Sequence, residues 1–406
     1  MGYVAAKGGL DAIRAAEDLV RRARRNAPSE WLELDQIIQR LRYAVDRVMG
    51  EGGLWDERTA ALAYRQAEGD LVEATHLVRE HRSTLPRFAY SRTISADELR
   101  PVRRIVPAFR EPPGDQVLGR TLDYTGRLLD RDDSRPDRAP DRAPGSDEAV
   151  GADALRSDDP APDAPVAQPT GRLLDVLRKM DLVVDRRDPS DPEPADITRV
   201  PARPGAPRSA ALATMARAET GALIQLWYRN ILGPDNHLHE VTLGEVRHGH
   251  LPVEIEHPHT GGTVDLGEIR VTEVEAIEDL DGNEEDRTRF DVGYGLCLGH
   301  NERKAIAMAN LDIAIHRDAG RGPLEQSVLM TSDCLDSSGF LEHLKLPHYV
   351  TFRSMVERKT TMRTNRAGED EDDVDGSLDV AQAAQARSDC EVTDLGGDLV
   401  GAGVPR

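Results

Sequence analysis

The chain has 406 residues, 4% aromatics and a formal net charge of −21, with 73 Asp and Glu against 52 Lys and Arg. So acidic a chain does not hold nucleic acid or anionic membranes through bulk charge, and no apolar run approaches the roughly 20 residues of a membrane span. Cys297, Cys334 and Cys390 are scattered without C-x-x-C spacing and form neither a disulfide framework nor a zinc knuckle.

The basic residues are nearly all arginine; only Lys7, Lys179, Lys304, Lys345 and Lys359 are lysine. Aspartate excess with arginine in place of lysine suggests a cytoplasm of very high salt, where the screening length falls to about 3 Å at 1 M and self-repulsion costs little. An acidic low-complexity tail in an ordinary cytoplasm is the plainer alternative. The N-terminus lacks a signal peptide's apolar core, so a soluble cytoplasmic protein is expected.

Residues 10–90 read as helical. From Asp35, the apolar positions Ile37, Ile38, Leu41, Ala44, Val45 and Val48 follow the 3.6-residue period, and Gly52-Gly53 stops the run. Asp56–Glu68 is alanine-rich and helical in pattern. Another helix opens at Asp70, with Glu73 placed as in a capping box and Leu71, Ala74, Leu77 and Val78 on one stripe. Residues 1–130 are therefore expected as a mainly helical region.

Residues 131–170 are a different material, rich in Asp, Ala and Pro and containing the repeat Pro136-Asp-Arg-Ala-Pro140-Asp-Arg-Ala-Pro144. They bury too little apolar area to offset ordering entropy and are expected as a disordered linker. Residues 171–357 are mixed, with helical signals over Gly171–Leu182 and Ala210–Tyr228. Strand signals cover Val241–Val246, Leu251–Ile255 and Ile269–Val274, and a long helix follows Asn301. The order is no regular βαβ alternation, so the class is α+β, helices packed on a mixed core. Residues 358–406, with the like-charge block Glu369–Asp375, are expected as a disordered acidic tail.

Four constellations carry chemistry. Gly293-Tyr-Gly295-Leu-Cys-Leu-Gly299-His-Asn301-Glu302-Arg303-Lys304 runs from a strand through glycines into a helix. Such glycines let backbone N–H groups approach an anion, and Arg303 and Lys304 in a first turn oppose the macrodipole unless an anion meets them. A solvated first turn is the bland alternative. Three H-x-H pairs, His237/His239, His248/His250 and His257/His259, each share a face if on a strand, though solvated turn histidines are the preferred reading. Asp46 and Arg47 adjoin on a helix and cannot face each other; each seeks a partner elsewhere, and Glu51 precedes the glycine pair. Finally, His343 and His348 stand five residues apart, roughly 500° around an unbroken helix. Pro347 breaks that helix and allows both rings to reach one metal or ligand, against the alternative of two surface histidines.

In chain order, seven segments resemble one family. They are Tyr3-Val-Ala-x-Lys7-Gly-Gly9, Ala44-Val-Asp46-Arg47-Val-Met-x-Glu51-Gly-Gly53, Asp123-Tyr-Thr-x-Arg127-Leu-Leu-Asp130, Asp196-Ile-Thr198-Arg199, Gly244-Glu245-Val-Arg247, Gly293-Tyr-Gly-Leu296 with Glu302-Arg303-Lys304-Ala-x-Ala-Met308-Ala, and His343-Leu-Lys345-Leu-Pro-His348-Tyr-Val350. The family is PhnI, a subunit of the bacterial carbon–phosphorus lyase core complex. The resemblance covers most of 1–130 and 171–357; the H-x-H richness lies outside it.

The resemblance implies a part in replacing the adenine of ATP at ribose C1 by an alkylphosphonate, giving ribose 1-methylphosphonate 5-triphosphate. It implies nucleosidase activity for the subunit alone, and partners that include the radical iron–sulfur lyase subunit. It associates His343 and His348 with zinc near that partner. Displacement at an anomeric carbon passes through an oxocarbenium-like state, so a polyphosphate must be held and a purine helped to leave. Gly293, Gly295, Gly299, Arg47, Arg303, Lys304 and Lys345 are the expected substrate-binding residues, and Asp46, Glu51 and Glu302 the candidates for acid catalysis. The rival is a non-catalytic scaffold that shapes an interface at which another chain does the chemistry.

Overall fold

The structure is a computed structural model that describes residues 9–121, 171–184, 186, 190, 193–231, 241–279, 286–317, 323–331, 333–345 and 349–367. The chain separates into two compact units, Met1–His343 and Leu344–Arg406. The expected linker, 131–170, lies outside the described residues.

The first unit opens with α1 (Leu10–Arg25), α2 (Leu34–Arg40), α3 (Arg42–Gly52), α4 (Glu57–Gln66) and α5 (Leu71–Thr84). The run expected from Asp35 as one helix is two, because Leu41 leaves helical geometry at φ −113 and ψ 38. α3 stops at the glycine pair: Gly53 adopts φ 67, a left-handed cap that glycine enters without a Cβ penalty. The Asp70 carboxylate caps α5 by accepting from the N–H groups of Val72 and Glu73, worth about 1 kcal/mol. Ile37, Val45, Val48, Met49, Ala60, Ala61, Ala74 and Val78 interlock as this region's core.

β1 (Arg100–Ile105), β2 (Val241–Glu256), β3 (Thr263–Asp279) and β4 (Phe290–Leu298) form one antiparallel sheet in that order. The two strands expected over 241–246 and 251–255 are a single strand that passes through Pro252. The paired stretch of β1 ends at Arg100↔His250, so a proline beyond it removes no hydrogen bond to β1.

Helices α6 (Leu173–Lys179), α7 (Arg208–Arg217) and α8 (Thr220–Ile231) precede β2; α9 (Glu302–Arg317), α10 (Pro323–Thr331) and α11 (Cys334–His343) follow β4. α9 lies on one face of the sheet. There Val246, Val274, Ala276 and Cys297 meet Ala305, Met308, Ala309 and Ile313, with Met215 of α7 and Leu223 of α8. Each such large side chain, fully buried, stabilises by about 1.5–3 kcal/mol. On the other face, Ile277 packs on Leu173, Leu174 and Leu177 of α6. In the second unit, α12 (Tyr349–Ala367) carries helix into the segment expected as disordered tail; residues 368–406 lie outside the described ones. The α+β class is observed.

Candidate functional site

Alternation along the strands gives the sheet two chemically different faces. On the face away from α9, β2 and β3 set Glu245 opposite Glu275 and Arg247 opposite Glu273, and β4 adds Tyr294. On the α9 face, the same strands set His248 opposite Thr272 and His250 opposite Arg270. Each face carries a hollow.

The larger hollow, about 280 Å³, is lined by Asp97, Arg172, Arg178, Arg186, Arg208, Glu275, Tyr294 and a wall of Leu174, Val183, Val184 and Val292. Its floor is a lattice of buried charge. Arg172 Nη1 donates to Glu275 Oε1 at 2.8 Å and lies 3.1 Å from Glu273 Oε1, while its Nε is 2.7 Å from Asp97 Oδ1. Arg247 Nε donates to Glu273 Oε2 at 2.8 Å, Arg104 Nε to Glu245 Oε1 at 2.7 Å, and the Tyr294 hydroxyl to Glu273 Oε1 at 3.0 Å. At the rim, Asp312 of α9 holds Arg208 at 2.6 Å and Arg186 at 3.1 Å, and accepts the Tyr294 N–H at 3.0 Å.

Crowded carboxylates under low solvent access titrate abnormally. Burial, and next the Glu273 carboxylate, push Glu275 up to about 7 against the pull of Arg172. Burial and then Glu273 also raise Tyr294 well above the ordinary phenol. Burial alone would lower Arg172, but Glu273, Glu275 and Asp97 more than compensate and hold it cationic. The arrangement offers guanidinium groups for an anion beside a carboxyl group that can give up a proton near neutral pH.

The second hollow, about 100 Å³, is lined by Arg42, Tyr43, Arg103, Arg120, His248, His250, Arg270 and His300. His248 stacks on His300 with ring centroids 4.2 Å apart, and Tyr43 meets His300 edge-on at 5.1 Å.

The expected site residues fall elsewhere. Gly293 and Gly295 sit in β4 beneath α9, where a Cβ would overlap the carbonyl oxygens of Ala309 and Ala305. They permit close packing of helix on strand and offer nothing to a phosphate. Gly299, at φ 76, donates its N–H to Arg270 O at 2.8 Å and accepts from Thr272 Oγ1 at 2.7 Å. The anion at the start of α9 is the protein's own: Asp46 Oδ2 accepts the His300 N–H at 2.9 Å, and Asp46 Oδ1 pairs with Arg270 at 2.8 Å.

Arg47 pairs with Glu51 at 2.9 Å and with Glu219, so Asp46 and Arg47 do find partners on separate elements. Glu51 accepts the Thr220 N–H at 3.0 Å and its hydroxyl at 2.6 Å. Burial would raise Glu302, yet hydrogen bonds from His300 and Arg103 hold it at about 2, too acidic to donate a proton near neutrality. Arg303 faces solvent. Lys304 is instead buried, its Nζ without a hydrogen-bond partner among the described residues, and burial lowers its pKa. Asp46 and Glu302 thus brace the smaller hollow from behind, and none of the expected residues lines the larger one.

His343 ends α11 exposed, Lys345 is exposed in the second unit, and His348 lies outside the described residues. Among the described residues, no group of three or more His, Cys, Asp or Glu side chains is arranged to hold a metal. His248 and His250 are buried, not the solvated turn residues preferred from sequence; His257 is half-buried and His259 exposed, and His237 and His239 lie outside the described residues. Arg172, Arg178, Arg186, Arg208 and Glu275 were missed. One signal was present, since Glu245-x-Arg247 and Glu273-x-Glu275 show period-two charge within strands, which marks a polar face that is not solvent.

Two arginine-lined hollows thus stand in a chain of net charge −21. The family model of the bacterial phosphonate metabolism protein PhnI matches residues 2–366, and the chain belongs to that family. It is 41% identical over 371 residues to the "Putative C-P lyase subunit protein HtxH" of Stutzerimonas stutzeri, covering 89% of this chain and 96% of that one. Two relatives carry the name "Alpha-D-ribose 1-methylphosphonate 5-triphosphate synthase subunit PhnI". That of Rhizobium meliloti (strain 1021) is 35% identical over 394 residues, 94% of this chain and 100% of the relative. That of Escherichia coli (strain K12) is 37% identical over 364 residues, 87% and 96%. The protein is one of phosphonate metabolism, and no helix among its described residues is long and apolar enough to cross a membrane.

Proposed function

We propose that this chain, as a subunit of a carbon–phosphorus lyase system, takes part in displacing adenine from ATP by an alkylphosphonate such as methylphosphonate, with the larger hollow as substrate site. One observation carries the site: Glu275, pushed to about 7, stands in a cavity it shares with four arginines. Arg178, Arg186 and Arg208 meet the triphosphate, and the apolar wall of Leu174, Val183 and Val292 flanks the purine. Glu275 gives its proton to a purine nitrogen as the C1′–N9 bond breaks and its electron pair leaves with adenine. A phosphonate oxygen then closes on C1′, and Glu275 regains a proton from water. Arg172 and Glu273 hold the carboxyl group in place. In the lone chain water takes the nucleophile's position, which is nucleosidase activity.

The other subunits, the radical iron–sulfur lyase among them, belong to the same proposal, as does zinc at His343 and His348. Two imidazoles suit zinc by donor type but leave a tetrahedral site half filled, so water or a partner chain supplies the rest. When bound, the ion ties this helix end to a neighbouring subunit.

The test is adenine release from ATP by the assembled complex with methylphosphonate. Glu275→Gln lowers the rate by about 10²–10⁴-fold with the complex intact. An unchanged rate refutes the assignment and favours the scaffold reading.

A further inference from the structure

We infer that Tyr294 is a positioning residue, its hydroxyl group fixing which of two neighbouring carboxyl groups, Glu273 or Glu275, carries the single proton they share. The catalytic meaning of that choice rests on the substrate reading of the larger hollow; the placement of the proton does not.

Geometry makes the two groups rivals. Glu273 and Glu275 stand two positions apart on β3 and so share one face of the sheet. One nitrogen serves both: Arg172 Nη1 lies 2.8 Å from Glu275 Oε1 and 3.1 Å from Glu273 Oε1. Two buried carboxylates this close resist ionising together, so the pair keeps one proton to higher pH than an isolated glutamate. Burial, then the Glu273 charge, carry Glu275 to about 7.

Their partners are unequal. Glu273 accepts from Arg247 Nε at 2.8 Å, from Arg247 Nη2, and from the Tyr294 hydroxyl at 3.0 Å. Glu275 accepts from Arg172 alone among the described residues, and Asp97 draws on the same guanidinium at 2.7 Å. Glu245, the third carboxylate of this face, is taken up by Arg104 and the Leu173 N–H. Hydrogen bonds to a carboxylate favour its ionised form, so the better-served Glu273 carries the charge and Glu275 the proton. Burial, then Glu273, raise the phenol well above its ordinary value, so it stays a donor near neutrality. Without the hydroxyl, the proton spreads onto Glu273, whose charge then presses less on Glu275. Glu275 releases its proton at lower pH.

The experiment is a pH titration of the full chain by infrared difference spectroscopy. It follows the C=O stretch of protonated carboxyl groups from about pH 5 to 9, above the range of ordinary ones. One band is expected, with its midpoint near 7, and Glu275→Gln removes it. Tyr294→Phe, which keeps the ring, moves the midpoint down by about half a unit or more. Tyr294→3-fluorotyrosine, a stronger donor of nearly the same shape, moves it up, which structural damage would not do. A band that survives Glu275→Gln and vanishes in Glu273→Gln overturns the inference, as does a midpoint indifferent to both changes at Tyr294. In the assembled complex the same variants should displace the alkaline limb of adenine release in step. A band that shifts while that limb stays fixed leaves the proton where inferred and refutes the substrate reading of the hollow.

Discussion

Asp46 of α3 and the His300 N–H just before α9 are 2.9 Å apart, 254 positions apart in sequence. The same carboxylate pairs with Arg270 of β3, so one buried group fastens the N-terminal helices to the sheet. Asp46→Ala leaves a buried guanidinium with Glu57 as its one carboxylate partner among the described residues, and breaking such a pair costs about 3–5 kcal/mol. The expected readout is a lower urea midpoint; an unaltered midpoint means the tie contributes nothing.

Gly295→Ala places a methyl group on the Ala305 carbonyl oxygen. Backbone cannot retreat like a side-chain end, so α9 must lift, at about 1–3 kcal/mol or more. Thermal unfolding reads this, and no displacement of a phosphate probe is needed to explain it. A Tm equal to that of the parent chain would contradict the packing role.

The pH dependence follows from Glu275. Its folded pKa of about 7 exceeds the roughly 4.3 of an unfolded glutamate, so the folded chain binds the proton more tightly. Stability from this group is therefore whole below about pH 4.3 and declines as pH rises through 7. On the proposed acid role of Glu275, adenine release should fall over the same alkaline limb. A rate profile flat between pH 6 and pH 8 (roughly one unit on either side of 7) would sink the acid role.

Arg208→Ala removes a guanidinium held by Asp312 at the cavity rim. Its loss should raise KM for ATP by about tenfold or more, with a smaller change in kcat, because a charge-assisted contact is worth about 1.5–3 kcal/mol. Steady-state kinetics of the complex decides this. Equal KM values place the triphosphate elsewhere.

His343→Ala changes an exposed helix end and should leave the circular dichroism of the chain untouched. On the proposed zinc role of His343, the assembled complex should lose zinc, measured by elemental analysis, together with product formation. Undiminished zinc would detach His343 from the metal.

The helices were legible because their signals are local. Asp70 caps α5, Gly53 ends α3, and the 3.6-residue stripes of 37–48 and 71–78 become the N-terminal core. β1 was not, since Arg100-Pro-Val-Arg-Arg-Ile105 lacks the apolar alternation that marks a strand. Its arginines are acceptable there only because Glu245 and Glu302, far along the chain, meet them. The larger hollow was illegible for the same reason. Arg172, Arg208 and Glu275 come from three separate segments, and only folding shows which carboxyl group is crowded enough to keep its proton. The glycine motif misled because closeness to a helix and closeness to a phosphate require the same missing Cβ.

Arg247 looks into one hollow's floor and His248, the next residue, into the other hollow. A strand with a different customer on each side has no spare register: deleting one residue between Val246 and His250 would exchange its histidines for its ion-pairing partners. Insertions and deletions there should be lethal to both sites at once, while point changes can retune either alone. The two hollows are free to diverge in chemistry but bound to share a single frame.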